Sequence, residues 1–175
     1  MLELDENYTP PNLIRGTEKL NPRIMKKTRW YHMPKYMIFE LRQDMQRVFT
    51  DIIFHPCFMV SETVRKVIML YEPYLRYSSV IVADREKKSS SRYYIPVLEE
   101  VDCLTDNSRF NLDKSVIYHA QAEESRIRGK VLVRVSRINC TCILIRMDLA
   151  ESILQRHTIG IGLKEIDMVN IQKDV

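Results

Sequence analysis

Apolar and polar residues alternate with recognisable periods only after about residue 50. TDIIFH (50–55) is dense in branched and aromatic residues and predicts a strand. CFMV (57–60) continues it beyond Pro56, which suits an edge or a bend. Ser61 is placed to cap a helix, with Glu62 in its first turn. Val64, Val67, Ile68 and Tyr71 follow the i, i+3, i+4, i+7 stripe of a helix with one buried face, and Pro73 marks its end. SSVIVAD (78–84) and YYIPVLEEVDCL (93–104) predict two strands flanking an exposed polar hairpin tip, REKKSSSR. In the second of these, Ile95, Val97, Val101 and Cys103 share one face and Glu100 and Asp102 the other. SVIYHAQA (115–122) and KVLVRVSRI (130–138) are further strand candidates. CTCILI (140–145) has the composition of a buried strand, and Leu149, Ala150, Ile153 and Leu154 give a short helix its apolar side. LKEIDMV closes the series as a strand. Strands outnumber helices and do not alternate with them. The expected fold is therefore α+β, a mostly antiparallel sheet with two strand–helix units packed on it.

Residues 1–49 differ. Prolines fall at 10, 11, 22 and 34, and periodicity is poor, so an irregular N-terminal arm is expected ahead of a single domain at 50–175. Arg15, Lys19, Arg23, Lys26, Lys27, Arg29 and Lys35 are interleaved with or followed by Trp30, Tyr31, Tyr36 and Phe39. A basic-aromatic arm of this kind can touch nucleic acid or an acidic partner. It can equally wrap the domain as a solvated segment whose aromatics pack inward.

The whole-chain charge favours the second option. Lysine and arginine total 27 against 23 acids, a formal net charge of +4, and a dedicated nucleic-acid binder concentrates more. Hydrophobic residues make up 45% of the 175, enough for one sizeable core. No apolar run approaches membrane-spanning length, and the first residues lack the pattern of an export signal. The four cysteines are accordingly expected as reduced thiols in a cytoplasm.

HPCFMVSETVRKVI (55–68) and CTCILIRMDLAESI (140–153) echo one another at an offset of 85, aligning Cys57 with Cys142, Val64 with Leu149 and Ile68 with Ile153. Each runs apolar strand, short link, helix. If the two strands lay side by side, His55, Cys57, Cys140 and Cys142 could converge as a zinc set. The one-residue spacing in each arm is tighter than structural zinc sites use, and a buried strand holds free cysteine as a small hydrophobe. The glycines of TIGIG (158–162) follow a helix and precede a strand. A phosphate loop has the reverse order, so they predict a helix stop. Histidines at 32, 55, 119 and 157 accompany no nucleophile or metalloprotease motif. No catalytic residue or cofactor is expected. Glu99, Glu100, Asp102 and Asp106 are solubilising charge or a surface for a basic protein partner, with Glu100, Asp102 and Asp106 the candidate contacts.

Four segments in order carry a family resemblance: FMVSETVRKVIMLYEP, YYIPVLEEVDCLTDNS, EESRIRGKVLVRVSRI and ILIRMDLAESILQRHTIGIGLKEI. Together, over roughly residues 50–170, they resemble the bacterial immunity protein eleven family. Its pattern is a strand, Val-Ser-Glu and a helix, then a tyrosine-rich strand running into an acidic turn. A glycine followed by an arginine-bearing strand comes next, and a strand–helix–glycine–strand closes it. The second strand–helix unit departs, with Arg146 and Met147 where Ser-Glu stands. The resemblance implies a small cytoplasmic, non-enzymatic protein of a polymorphic toxin system that binds a cognate toxin and blocks it. The slight positive charge speaks against a basic nuclease as that toxin.

Overall fold

A computed structural model describes residues 1–9, 11, 13–15, 34–41 and 48–170. The first stretch supplies β1 (Leu2–Leu4), β2 (Leu13–Arg15) and β3 (Tyr36–Leu41). β4 (Ile52–Ile53) and β5 (Met59–Ser61) lead into α1 (Glu62–Tyr71), followed by the hairpin of β6 (Tyr77–Asp84) and β7 (Ser89–Pro96). β8 (Glu100–Val101), β9 (Arg109–Phe110), β10 (Ile117–His119) and β11 (Gln121–Glu123) precede the one-turn helix α2 (Glu124–Ile127). The chain ends its regular structure with β12 (Leu132–Val135), β13 (Ile143–Ile145), α3 (Met147–Leu154), β14 (Ile161–Leu163) and β15 (Asp167–Val169).

The fold is α+β, and its strands form two main sheets. One has six strands in the order β2-β3-β6-β7-β5-β4, the other five in the order β14-β1-β13-β12-β8. β9 with β10 and β11 with β15 make two-stranded ribbons. Pairing is antiparallel except for β3–β6, β8–β12 and β11–β15. No helix among the described residues is long and apolar enough to cross a membrane.

Both sheets carry buried residues on each face, sorted by the period-2 rule, although one face of β3 stays exposed. Ile52, Val60, Leu132 and Ile143 face a central core shared with Val64, Val67 and Ile68 of α1 and Leu149 and Ile153 of α3. The alternate residues Ile53, Met59, Val80, Val82 and Tyr93 form a second cluster on the far side of the six-stranded sheet. Val133, Val135, Leu144 and Cys142 do the same for the five-stranded sheet.

The strand–helix units match in detail. α1 starts at Glu62 and α3 at Met147, the offset of the sequence echo, and the aligned Val64, Ile68, Leu149 and Ile153 meet in one core. The Tyr71 hydroxyl joins the two helices, lying 2.6 Å from Ser152 Oγ and donating to the Asp148 carbonyl at 3.1 Å. The N-caps differ. Ser61 Oγ accepts from Val64 N at 3.3 Å and donates to Asp51 Oδ1 at 2.5 Å. Arg146 supplies no side-chain cap; Asp148 instead accepts from Leu149 N at 2.8 Å and from both Arg146 nitrogens at 2.7 Å.

Several expectations need correction. The N-terminal stretch is not simply an irregular arm. β1 lies between β13 and β14, and β3 lies parallel to β6, so both are interior strands. In β3, Met37 and Phe39 are buried while Tyr36 and Ile38 are exposed, a half-buried strand whose alternation four apolar residues in a row conceal. Lys19, Arg23, Lys26, Lys27, Arg29, Trp30, Tyr31 and His32 lie outside the described residues. Ser89–Ser91 pair with β6 rather than belonging to the hairpin tip, since a ladder needs backbone partners and not apolar side chains. YYIPVLEEVDCL is not one strand. It breaks after Pro96 and passes from one sheet to the other, so Ile95 packs in the second cluster and Val101 and Cys103 in the third. The left-handed residue just past α3 is His157, φ 53°, and Gly160, φ +74°, serves the turn into β14.

Candidate protein-binding surface

Topology rather than spacing decides against a metal set at the echo. β5 pairs with β4 and β7, and β13 with β1 and β12, so the two strands are not neighbours. Cys57 packs behind the six-stranded sheet, Cys142 behind the five-stranded one, and His55 is exposed. Cys140 and Cys142 both precede β13, and the Cys142 carbonyl accepts from Val135 N of β12 at 2.9 Å. Among the described residues no three His, Cys, Asp or Glu gather as a metal set. All four cysteines are free. Burial pushes the Cys57 and Cys142 thiols up to about 12 and Cys103 up to about 11, and raises Cys140 as well. These sulfurs are held as thiols, whereas nucleophiles and metal ligands need thiolate.

The acids of 99–106 do not present one bare face. Asp102 Oδ2 lies 3.0 Å from Arg137 Nη1 and 3.8 Å from Arg126 Nη1, and the Asp102 carbonyl accepts from Arg126 at 2.7 Å. Glu99 accepts from Lys130 Nζ at 2.7 Å. Glu100 is half-buried on β8, in register with Arg134 of β12. Asp106 is exposed in the turn before β9. The cations that offset these acids come from α2 and β12 and their flanks, more than twenty residues downstream.

The feature that stands out most has no periodic signal in the sequence. β9 and β10 carry a protruding turn, FNLDKS (110–115), whose tip residue Leu112 is fully exposed, with Tyr118 64% and Val116 47% exposed behind it. Polar side chains brace this turn from inside. Asn111 Oδ1 accepts from Val116 N at 2.9 Å, and Asn111 Nδ2 donates to Ser115 Oγ at 2.9 Å. Asp113 Oδ1 accepts from Ser115 N at 3.1 Å and from Ser115 Oγ at 2.7 Å, which holds its carboxyl below the usual range. Asn139 fastens the turn to the body, its backbone N–H donating to the Lys114 carbonyl at 2.9 Å and its side chain to the Asp113 carbonyl at 2.5 Å. Lys114 takes the left-handed conformation, φ 56°, and stands over the Phe110 ring at 5.7 Å. The detectable signal was asparagine, aspartate and serine at every second position around a leucine, the residues of side-chain-closed turns.

A groove of about 700 Å³ opens beside the five-stranded sheet. Buried Val133, Leu144 and Ala150 form its floor, and exposed Met147, Leu163 and Met168 stand on its rim. No family model and no curated protein matches this chain.

Proposed function

We propose that this protein works by stoichiometric binding of another protein, as an immunity-type inhibitor of a bacterial toxin. The β9–β10 tip is its principal contact. The braced tip carries this reading. Exposing a leucine, a valine and a tyrosine on a turn that is already ordered sets out apolar anchors whose ordering cost is met before a partner arrives. Interfaces concentrate their energy in a few such anchors seated in complementary pockets. The soft likeness to the immunity family supplies the kind of partner.

Inhibition of a lethal toxin calls for nanomolar affinity or better, about 12 kcal/mol of binding free energy. The test is co-expression with the product of the neighbouring gene. A one-to-one complex and restored growth are expected, and Leu112→Asp should abolish both while leaving the melting curve unchanged. Neither complex nor rescue with the wild-type chain would end the proposal.

A further inference from the structure

The groove beside the five-stranded sheet is built from residues other than those of the tip. Its rim is solvent-exposed, so it is a trough, whereas small ligands are usually enclosed over most of their surface. A trough suits a chain segment that needs only one face covered. Met147 and Met168 give the rim flexible, polarizable side chains that adapt to varied apolar partners.

Among the charged side chains of its lining, cations outnumber acids. Arg128, Lys130, Arg146 and Lys164 line the groove, against Glu124 and Glu165. The acids that pair with Lys130 and Arg146 are Glu99 and Asp148, which lie outside the lining. Arg128 meets Glu124 at 3.3 Å, and Lys164 has no ion pair among the described residues. The exposed Arg128–Glu124 pair is worth about 0–1 kcal/mol, so Arg128 can turn toward an incoming carboxylate at little cost, as can Lys164.

We propose that the groove docks an amphipathic segment of a protein partner, apolar on the face it buries and rich in aspartate and glutamate along its flanks. The segment lies with its apolar residues over Val133, Leu144 and Ala150 and its carboxylates toward Arg128 and Lys164. This is the helix-in-groove mode of recognition with an acidic rather than a basic ligand. The proposal stands whether or not the partner is a toxin.

The full chain, immobilised, is panned against a phage-displayed library of random peptides, and the consensus binder is made synthetically and titrated by fluorescence anisotropy. Enriched peptides should carry apolar residues at helical spacing with an excess of acids. Their binding should weaken about tenfold or more between low salt and about 0.5 M salt. Met147→Asp, and separately the pair Arg128→Glu with Lys164→Glu, should each lose binding about tenfold or more with unchanged circular dichroism and melting. Enrichment of basic or uncharged peptides, no enrichment, or binders indifferent to both variants would overturn the proposal. So would a wild-type dimer dissolved by Met147→Asp, which gives the groove to a second copy. Dodecanoate binding without peptide binding gives it to a lipid and overturns the proposal equally.

Discussion

Gly129 and Gly160 make a matched pair for testing how tightly the seam between the two sheets is packed. Both have a left-handed backbone, φ +76° and +74°. Alanine at either position therefore carries a backbone penalty of about 1–2 kcal/mol. They differ in what the added methyl meets. At Gly129 nothing lies within 4 Å. At Gly160 the new Cβ would stand 2.4 Å from Thr50 Cγ2 and 2.6 Å from Thr50 Cβ. Thr50 is fully buried and held at two points, its hydroxyl donating to the Ile52 carbonyl at 2.7 Å and its carbonyl accepting from Tyr93 Oη at 2.7 Å. It cannot swing aside without breaking one of these bonds. Forced overpacking adds about 1–3 kcal/mol. Gly160→Ala should thus cost about 2–5 kcal/mol and Gly129→Ala only about 1–2, read from urea midpoints at an unchanged slope. Thr50→Ser keeps the hydroxyl and removes the nearer of the two clashing carbons, Cγ2, while Cβ remains. It should return part of the Gly160→Ala loss and none of the Gly129→Ala loss. Equal costs at the two glycines, or no relief from Thr50→Ser, would refute the packing argument.

Ser61→Ala removes both the α1 cap and the bond to Asp51, and should cost about 1–2 kcal/mol in chemical denaturation. Tyr71→Phe, losing its bonds to Ser152 and the Asp148 carbonyl, should cost about 1 kcal/mol, and much less in a Ser152→Ala background that already lacks one partner. The Cys57 and Cys142 thiols ionise near 9 in the unfolded chain and near 12 in the fold, so the folded protein holds protons there that the unfolded one releases. Their stabilising contribution is intact below pH 9 and is lost as pH climbs toward 12. The slope is about 1.4 kcal/mol per pH unit per thiol. Valine at both positions should flatten the fall in urea midpoint between pH 9 and 11, and an unchanged fall would show the thiols are not its source. Asn111→Ala should leave melting nearly unchanged yet speed amide exchange at Val116, whose N–H that side chain accepts.

What the sequence made visible was local. The stripe Val64–Tyr71 and the cluster Leu149–Ile153 gave α1 and α3, and the offset of 85 located both helix starts. Which sheet a strand joins is not local. Cys57 and Cys142 looked like neighbours because their strands looked alike, yet β5 joins β4 and β7 while β13 joins β12 and the distant β1, which puts the two thiols behind different sheets. Pro96 was a readable break in YYIPVLEEVDCL, but the apolar alternation on either side of it masked the change of sheet. Glu99 and Asp102 looked like free surface charge because Lys130, Arg126 and Arg137 come close only through β12 and α2. The tip at Leu112 carried a readable turn signal, and one apolar residue among polar ones has no period to announce it.

The position of β1 bears on how the chain is made. Leu2 pairs with Ile143 and with Leu163, so a strand interior to its sheet waits for partners translated about 140 residues later. At roughly 5–20 residues per second, that is on the order of ten seconds of synthesis during which both edges of β1 stay unpaired. The five-stranded sheet therefore closes after translation has passed it, by joining distant stretches of chain, a slow kind of search. The six-stranded sheet, with its β6–β7 hairpin and its β4–β5 pair, has all six of its strands in hand by Pro96 and can assemble first. The two strand–helix units that echo one another in sequence are thus unequal in birth order, and the earlier sheet is available as a template against which α3 and the later sheet condense.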